Sequence, residues 1–388
     1  MRVACCACVV LPLVLAASAD AQQLAVERTG RAFVVDASTS SVRVRSAAAD
    51  GPLGPWRTVV RAAEGERVMD AGVGAGGRGI AVVQRGRTLR VVTLAGRAVA
   101  SADADFAASA VAPSGAAIVV WFRHREDRRW RLEASIRDAR ARRFGAPQPL
   151  SPFVRRACCT TVSAAIGQRG RAVVTWTSTS RPAVWAALRT PGRAFGRAQR
   201  LTASAADAPK AVVGGVAAVL YSTQHVPLRP SDGLQLRRAT GGRLGPAEHV
   251  NPGGGVTVAD AAVTAAGGIA VAWIDRVHGD RVHLSEARPA GPLGATAELG
   301  SDVSPRALAI DADDDGRAVV AWSQRVGAAR EQVTATTRAA GTAAFGPAAN
   351  LGHASIAAEP RQVQLASGGA VLVWNTARRT ALALARLP

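Results

Sequence analysis

The chain has 388 residues, of which 48 are lysine or arginine and 28 are aspartate or glutamate, so its formal net charge is +20. Beyond the N-terminal segment, no apolar run reaches the roughly 18 residues that a membrane-spanning helix needs. Only two cysteines follow that segment, which excludes a disulfide-dense scaffold and leaves stability to a hydrophobic core.

Arginine carries nearly all of the positive charge, because Lys210 is the only lysine. The arginines are spread along the chain and form no tract, so nucleic acid is not the partner we expect. A coding bias toward Arg, Ala and Gly explains this skew as well as selection for a partner does. A positive surface nevertheless attracts acidic polymers through salt-sensitive contacts.

The N-terminal residues follow the pattern of a secretory signal peptide. Arg2 precedes an apolar stretch from Val3 to Ala17, and small residues follow at Ala19 and Ala21. A basic start, a short apolar segment and an Ala-x-Ala site are the three parts of such a peptide. We therefore expect residues 1–21 to be a signal peptide and the mature protein to be secreted.

A short phrase then recurs along the whole chain: a glycine, a small apolar run and, in most copies, a large aromatic residue. Gly170-Arg-Ala-Val-Val-Thr-Trp176 is a typical copy. The copies begin at Gly30, Gly79, Gly115, Gly170, Gly215, Gly267, Gly316 and Gly368. The aromatic residues are Trp121, Trp176, Tyr221, Trp273, Trp322 and Trp374. A recurring phrase of this kind predicts a repeat architecture.

One repeat contains four strand-sized segments, best seen between residues 161 and 201. They span residues 162–166, 172–176, 184–188 and 195–201, and clusters of Gly, Pro and Ser separate them. The second segment is almost continuously apolar, which predicts a strand covered on both faces. The fourth carries a second recurring phrase, an apolar residue followed by glycine, at Gly54, Gly145, Gly196, Gly245, Gly294 and Gly346.

Units of about 40–50 residues with four strands each predict an all-β fold, a β-propeller of four-stranded antiparallel blades. We expect eight blades, with seven as the alternative, in a single domain spanning residues 22–388. The aromatic residues are expected to fill the space between blades. We also expect residues 22–26 to complete the final sheet and so close the ring.

These repeats resemble the secreted blade-repeat propellers found among exported bacterial proteins. The resemblance covers nearly all of the mature chain and implies the fold without implying an activity. The Ser-x-Asp-x-Gly-x-Thr-Trp boxes of sialidase propellers do not occur, and neither do the signatures of WD or kelch repeats.

Loops that follow the aromatic residues share one face of a propeller, and they are rich in arginine and histidine. Arginine clamps carboxylates and sulfates bidentately, so these loops are candidates for binding an anionic ligand. The alternative is that the charged loop tips are simply solvated. The candidate residues are Arg123, His124, Arg125, Arg181, His225, Arg276, His278, Arg325 and Arg378.

Two further motifs each allow more than one interpretation. Asp311, Asp313 and Asp315 match the start of a calcium loop, Asp-x-Asp-x-Asp-Gly, although Trp322 stands where the closing carboxylate belongs. A structural calcium ion is the only cofactor that this pattern suggests, and an ordinary turn explains it too. Cys158 and Cys159 are adjacent, which leaves open a vicinal disulfide, two buried thiols or a bridge to another chain.

The sequence favours a binding or scaffold protein over an enzyme, because no catalytic constellation stands out. We expect a secreted monomer without a membrane span that recognises an acidic polysaccharide, a wall polymer or an extracellular protein. The alternative is a carbohydrate-active enzyme, a glycoside hydrolase or a lyase, with its site at the central channel.

Overall fold

The computed structural model describes most of the chain from residue 21 onward. The described residues are 21–27, 31–48, 51–95, 97–127, 129–154, 161–178, 183–202, 206–223, 233–252, 255–275, 279–301, 303–326, 330–354, 359–366, 369–375 and 382–387. Their regular structure is β-strand, apart from one 3₁₀ turn at Ala75–Gly77. The all-β prediction is therefore confirmed, and no helix in this part of the chain could span a membrane.

The first half of the chain forms two sheets. The first contains β1 (Ala21–Val26), β2 (Ala32–Ala37), β3 (Ser41–Ala47) and β4 (Arg57–Arg61), paired in that order. The second contains β5 (Arg67–Val73), β6 (Gly79–Arg85), β7 (Thr88–Thr93), β8 (Ala98–Val111), β9 (Ala117–His124), β10 (Trp130–Arg137) and β11 (Gln148–Pro149), again in chain order.

The second half repeats the four-stranded pattern. One sheet contains β12 (Val162–Ile166), β13 (Ala172–Ser178), β14 (Ala183–Arg189) and β15 (Gln199–Arg200). The next contains β16 (Ala206–Val213), β17 (Ala217–Thr223), β18 (Gly233–Thr240), β19 (Arg243–Leu244) and β20 (Glu248–Pro252), with β19 and β20 both paired to β18.

The last three sheets follow in chain order. They contain β21 (Val256–Val263), β22 (Ile269–Asp275), β23 (Arg281–Ala287) and β24 (Ala297–Gly300); β25 (Val303–Ala312), β26 (Ala318–Val326), β27 (Arg330–Arg338) and β28 (Ala349–Ala354); and β29 (Glu359–Ala366), β30 (Gly369–Asn375) and β31 (Leu382–Leu387). All pairings are antiparallel between neighbours, as predicted from the repeat.

The first strands of successive repeats form a closed circuit. Strand β1 contacts β5, and the contacts continue through β8, β12, β16, β21, β25 and β29, which touches β1 again. Strand β8 serves two repeats, because Ala98–Asp103 pairs with β7 and Ala104–Val111 pairs with β9. Because their mutual contacts close this circuit, these strands are the innermost of their repeats.

The prediction that residues 22–26 complete the final sheet is wrong. Strand β1 pairs with β2, from Ala21 opposite Ala37 to Val26 opposite Ala32, and so begins the first sheet. It meets the final sheet through side chains instead. The backbone N–H groups of Leu24 and Val26 donate to Oε1 of Gln362 and Gln364, at 2.7 and 2.6 Å.

The hydrophobic core lies between the sheets, which is why the second strand of each repeat is apolar on both faces. In β9, Val119 and Trp121 pack with Ile80 of the preceding repeat, whereas Ile118 and Val120 pack toward the following one. The expectation that the repeat aromatics fill the space between blades is confirmed, because all six are buried. The contact is close: a Cβ added to Gly300 would lie 2.9 Å from Trp322 Cζ2.

The apolar–glycine phrase begins the outer arm of each repeat and is mostly not strand. The N–H of Gly196 donates to the carbonyl of Leu188 at 2.8 Å, and Gly145 bonds in the same way to Ile136 at 2.9 Å. The regular outer strand that follows is short, only Gln199–Arg200 in the repeat that best preserves both phrases. The phrase therefore marks the hairpin between the third and fourth strands.

Candidate functional site

The turns between the first and second strands share one face with the hairpins between the third and fourth strands. Antiparallel order requires this, because alternate connections lie at the same end of a sheet. We call this face the hairpin face. The loops that follow the repeat aromatics lie on the other face, called here the aromatic-loop face.

Some arginines on the hairpin face hold the turns together. Gly115, Gly170 and Gly316 adopt positive φ angles of 84°, 77° and 81°, which glycine tolerates without strain. An arginine at the end of the third strand donates to each glycine carbonyl. The pairs are Arg137 with Gly115, Arg189 with Gly170 and Arg338 with Gly316. These arginines are structural parts of the repeat.

An open cleft of about 1040 Å³ lies on the hairpin face, where the first repeat meets the second and third. Its wall includes the apolar residues Phe33, Pro55, Val59 and Leu94. Five arginines also line it: Arg31, Arg45, Arg57, Arg78 and Arg137. None of the described residues that line the cleft is acidic. The cleft therefore has a positive potential and an apolar wall.

Two of these arginines are held by their surroundings. The guanidinium of Arg45 lies 4.3 Å from the ring centroid of Trp56, and Arg137 Nη2 donates to the Gly115 carbonyl at 3.0 Å. Burial lowers the pKa of both side chains. An arginine stays charged even so, and a partly desolvated charge attracts an anion more strongly than a solvated one.

The other three reach toward solvent. Arg31, Arg57 and Arg78 are exposed, and among the described residues none of them forms an ion pair. Arg31 lies over the Phe33 ring at 4.9 Å. Arg31 and Arg78 each lie next to a glycine of the turn. In other repeats, the arginine at the corresponding position has a partner. Arg171 donates to the Gly215 carbonyl, and Arg317 pairs with Asp313 at 2.7 Å.

The sequence-predicted residues lie on the aromatic-loop face. His124 Nε2 is 2.6 Å from Asp105 Oδ2, and its ring centroid lies 3.6 Å from that of Trp130. Arg123 is exposed and lies 3.8 Å from the buried Glu133 carboxylate. The Arg125 guanidinium lies 5.0 Å from the Phe153 ring. These three residues follow one another at and just beyond the end of β9, and protein groups contact each of them.

Most other residues predicted for that face cannot be compared with the structure. Arg325 is exposed at the end of β26, and its cross-strand partner is Glu331. Outside the described residues lie Arg181, His225, Arg276, His278 and Arg378, together with Cys158 and Cys159. An anion site formed by these loops stays a prediction.

Two of the three aspartates of the predicted calcium loop have partners for their carboxylates. Asp311 accepts hydrogen bonds from the N–H groups of Leu365 and Ala312, at 2.8 and 3.0 Å. Asp313 pairs with Arg317, and Asp315 is exposed. Among the described residues, no group of three or more His, Cys, Asp or Glu side chains could hold a metal ion. The structure therefore offers the calcium hypothesis no converging set of carboxylates.

Carboxylates on the innermost strands bear on the enzyme alternative. Asp70 Oδ2 accepts from the Ser109 hydroxyl at 2.6 Å, and Asp260 pairs with Lys210 of the preceding repeat. Burial raises the pKa of Asp70 and of Asp311 to about 6. Each of these carboxylates is bonded to a neighbouring repeat, so these groups join blades.

Comparison with known proteins identifies the architecture. No protein-family model and no curated protein matches the chain. The structure of the Dos1 propeller is similar, with a TM-score of 0.55 and 8% identity over 92% of this chain and 90% of that one. The acylaminoacyl peptidase of Pyrococcus horikoshii has a TM-score of 0.50 and 11% identity over 93% of this chain. The chain spans 58% of that peptidase.

A prolyl endopeptidase is similar at a TM-score of 0.48 and 16% identity, over 86% of this chain and 49% of its own length. The chain thus spans only about half the length of the peptidases it resembles. Identities this low show the fold alone. The protein is a β-propeller with four-stranded antiparallel blades.

The sequence did not indicate the cleft, because the predicted anion-binding residues all belong to loops of the aromatic-loop face. The cleft arginines come from turns and outer arms whose residues look unremarkable one by one. The repeat itself contained a signal. Arg31, Arg171 and Arg317 directly follow the first glycine of their phrases, and Arg78 lies between Gly77 and Gly79. Which of these has a partner depends on contacts between repeats, and the sequence does not reveal those.

Proposed function

We propose that this protein is a secreted, non-catalytic propeller that binds an acidic polysaccharide in the cleft of the hairpin face. One observation carries the proposal. The cleft is lined by five arginines, and none of its described lining residues is acidic. Exposed arginines usually gain neighbours of opposite charge, so a group of them without such partners is suited to an external anion.

The cleft's shape and wall suit a sugar chain. A sulfated or uronic sugar carries its charges at the edge of a ring whose faces are partly apolar. Beside the arginines, Pro55 is exposed and Val59 is half-buried, whereas Phe33 and Leu94 lie almost fully buried beneath them. Because the cleft is open, a ligand longer than the cleft can leave it at either end. Arginine stays charged across the physiological pH range, so binding should depend on salt and hardly on pH.

We also propose that the ring has eight blades. Strand β8 changes partner between Asp103 and Ala104, which supports counting the seven-stranded sheet as two blades. The glycine phrase occurs eight times, and the side-chain contacts of β1 with Gln362 and Gln364 support closure between the first and last repeats. An experimental structure with seven blades would contradict this count.

Export of the protein rests on the sequence pattern of residues 1–21. Expression with this segment should yield a secreted protein that lacks it, and N-terminal sequencing of the product would locate the cleavage site. Retention of the segment in the secreted product would contradict the proposal.

The binding proposal is tested with a triple variant, R31S/R57S/R78S, which removes only exposed side chains of the cleft. Arg45 and Arg137 are left in place because they contact Trp56 and Gly115. Heparin serves as the probe, and calorimetry at two salt concentrations measures its affinity. We expect the variant to bind about a hundredfold more weakly, since each of the three lost charge-assisted contacts contributes about 1 kcal/mol.

The matched control is R61S/R67S/R85S. These arginines are exposed on the aromatic-loop face, so the control changes net charge equally. It should bind as the wild type does. Equal losses in both variants would mean that net charge alone attracts heparin, and would overturn the proposal of a cleft site.

A further inference from the structure

Eight more arginines lie on the hairpin face, outside the cleft. They project from the hairpins between the third and fourth strands of five consecutive repeats, and all are exposed. They are Arg97, Arg140, Arg142, Arg143, Arg193, Arg197, Arg243 and Arg288. None of these side chains makes an ion pair or hydrogen bond with another described residue. We call them the rim arginines.

On the aromatic-loop face, Arg61, Arg67 and Arg85 are likewise exposed without an ion pair among the described residues, but other arginines there lie near acidic side chains. Arg87 lies 3.5 Å from Asp103, Arg129 lies 3.1 Å from Asp127, and Arg281 lies 2.8 Å from Glu298. On the hairpins, the acidic residue Asp138 lies 3.6 Å from Arg189, one of the arginines that bond to a turn glycine. Among the described residues, none of the rim arginines forms an ion pair with it.

The hairpins are joined in order, and this makes the rim one continuous surface. Phe195 N donates to Gln148 Oε1 of the preceding repeat at 2.8 Å, and Leu244 N donates to Gln199 Oε1 at 3.1 Å. Arg238 Nη1 donates to the Gly291 carbonyl at 2.6 Å and links the next pair. The rim arginines are therefore carried by hairpins that are fixed to each other.

The rim begins at the cleft. Ala139 and Ala141 line the cleft, and Arg140, Arg142 and Arg143 lie on the same hairpin. From there the rim runs through Arg193 and Arg197 to Arg243 and Arg288. An anionic chain that leaves the cleft at this side would meet positive charge on each successive repeat.

We propose that the cleft and the rim arginines form one extended surface for a long acidic polysaccharide, held at the cleft and followed along the rim. This rests on the proposed binding function. A polysaccharide is favoured over nucleic acid because the described chain has no exposed aromatic side chain on which bases could stack. Contacts made by charge alone suit a polymer whose every unit is anionic.

The test compares a heparin tetrasaccharide with long heparin chains. Wild-type protein should bind the long chains at least about tenfold more tightly than the tetrasaccharide, and the salt dependence of its affinity should be steeper. The variant R193S/R243S/R288S should lose most of this advantage and bind the tetrasaccharide normally. Each lost contact should reduce the slope of log affinity against log salt by roughly one.

The variant R61S/R67S/R85S has the same charge and should keep both affinities. Loss of long-chain affinity in that control, or no loss in the rim variant, would overturn the extended surface. Duplex DNA that binds as tightly as long heparin would overturn the choice of polysaccharide. If the tetrasaccharide binds through the cleft but chain length has no effect, only the extended surface fails. If the tetrasaccharide shows no cleft-dependent binding, the proposed function fails as well.

Discussion

At the scale of single residues, the polar side chains of the innermost strands join one blade to the next. Asp70 accepts from the Ser109 hydroxyl, and Asp311 accepts from the Leu365 N–H. Both carboxyls are protonated more easily than in water, because burial raises their pKa to about 6. The two differ in their donors. Asp311 accepts only from backbone N–H groups, whereas Asp70 accepts from the Ala71 N–H and from the Ser109 hydroxyl, which can donate or accept.

This difference predicts opposite consequences of amide substitution. The folded-state pKa of Asp70 is above its unfolded value of 3.8, so its contribution to stability is complete below that pH and falls as pH rises toward about 6. Asp70→Asn removes the buried charge and can still bond to Ser109. It should raise stability at pH 7, by at most about 3 kcal/mol, and change little at pH 3.5.

Asp311→Asn should gain less or lose stability at pH 7, because its new N–H₂ group would face a backbone N–H in place of an acceptor. Urea unfolding of both variants across this pH range measures the effect. An equal gain from both substitutions would show that the hydrogen-bond partners do not matter.

At the scale of elements, the first and last repeats are joined by contacts between their sheets, whereas the sequence predicted that residues 22–26 would pair into the final sheet. The sequence indicated four strands per repeat, with an apolar second strand, because turn glycines, apolar runs and aromatic residues recur in every well-preserved repeat. It did not indicate where β1 pairs. The segment from Gln22 to Val26 is equally suited to either sheet by pattern, and the choice depends on its short connection to β2.

We expect the side-chain contacts at this joint to be its weak point. Gln362→Ala with Gln364→Ala removes both acceptors from the N–H groups of Leu24 and Val26. Each lost bond contributes about 1 kcal/mol, so these two amides should exchange hydrogen roughly fivefold or more faster. Hydrogen exchange followed by mass spectrometry or NMR measures this directly.

Gln199→Ala is the matched control, because Gln199 makes the same kind of contact to Leu244 N at another joint. It should speed exchange at Leu244 and leave β1 unchanged. Faster exchange in β1 from this control would mean that the ring loosens as a whole and that the first joint is not distinct.

At the scale of the whole molecule, the hairpin face carries both the cleft and the rim arginines. The sequence predicted the propeller, and its candidate site on the aromatic-loop face stays a prediction. It could not predict the cleft, because the partners that hold Arg171, Arg189 and Arg317 come from turns and neighbouring repeats. Arg31, Arg57 and Arg78 have no ion pair among the described residues.

The central claim is that an acidic polysaccharide binds the hairpin face at the cleft, and arginine footprinting tests it most directly. Phenylglyoxal modification, with and without heparin, is read out residue by residue by mass spectrometry. We predict that heparin protects Arg31, Arg57 and Arg78 and leaves Arg61, Arg67 and Arg85 fully reactive. Protection of the second set, or equal protection of both sets, would contradict the claim.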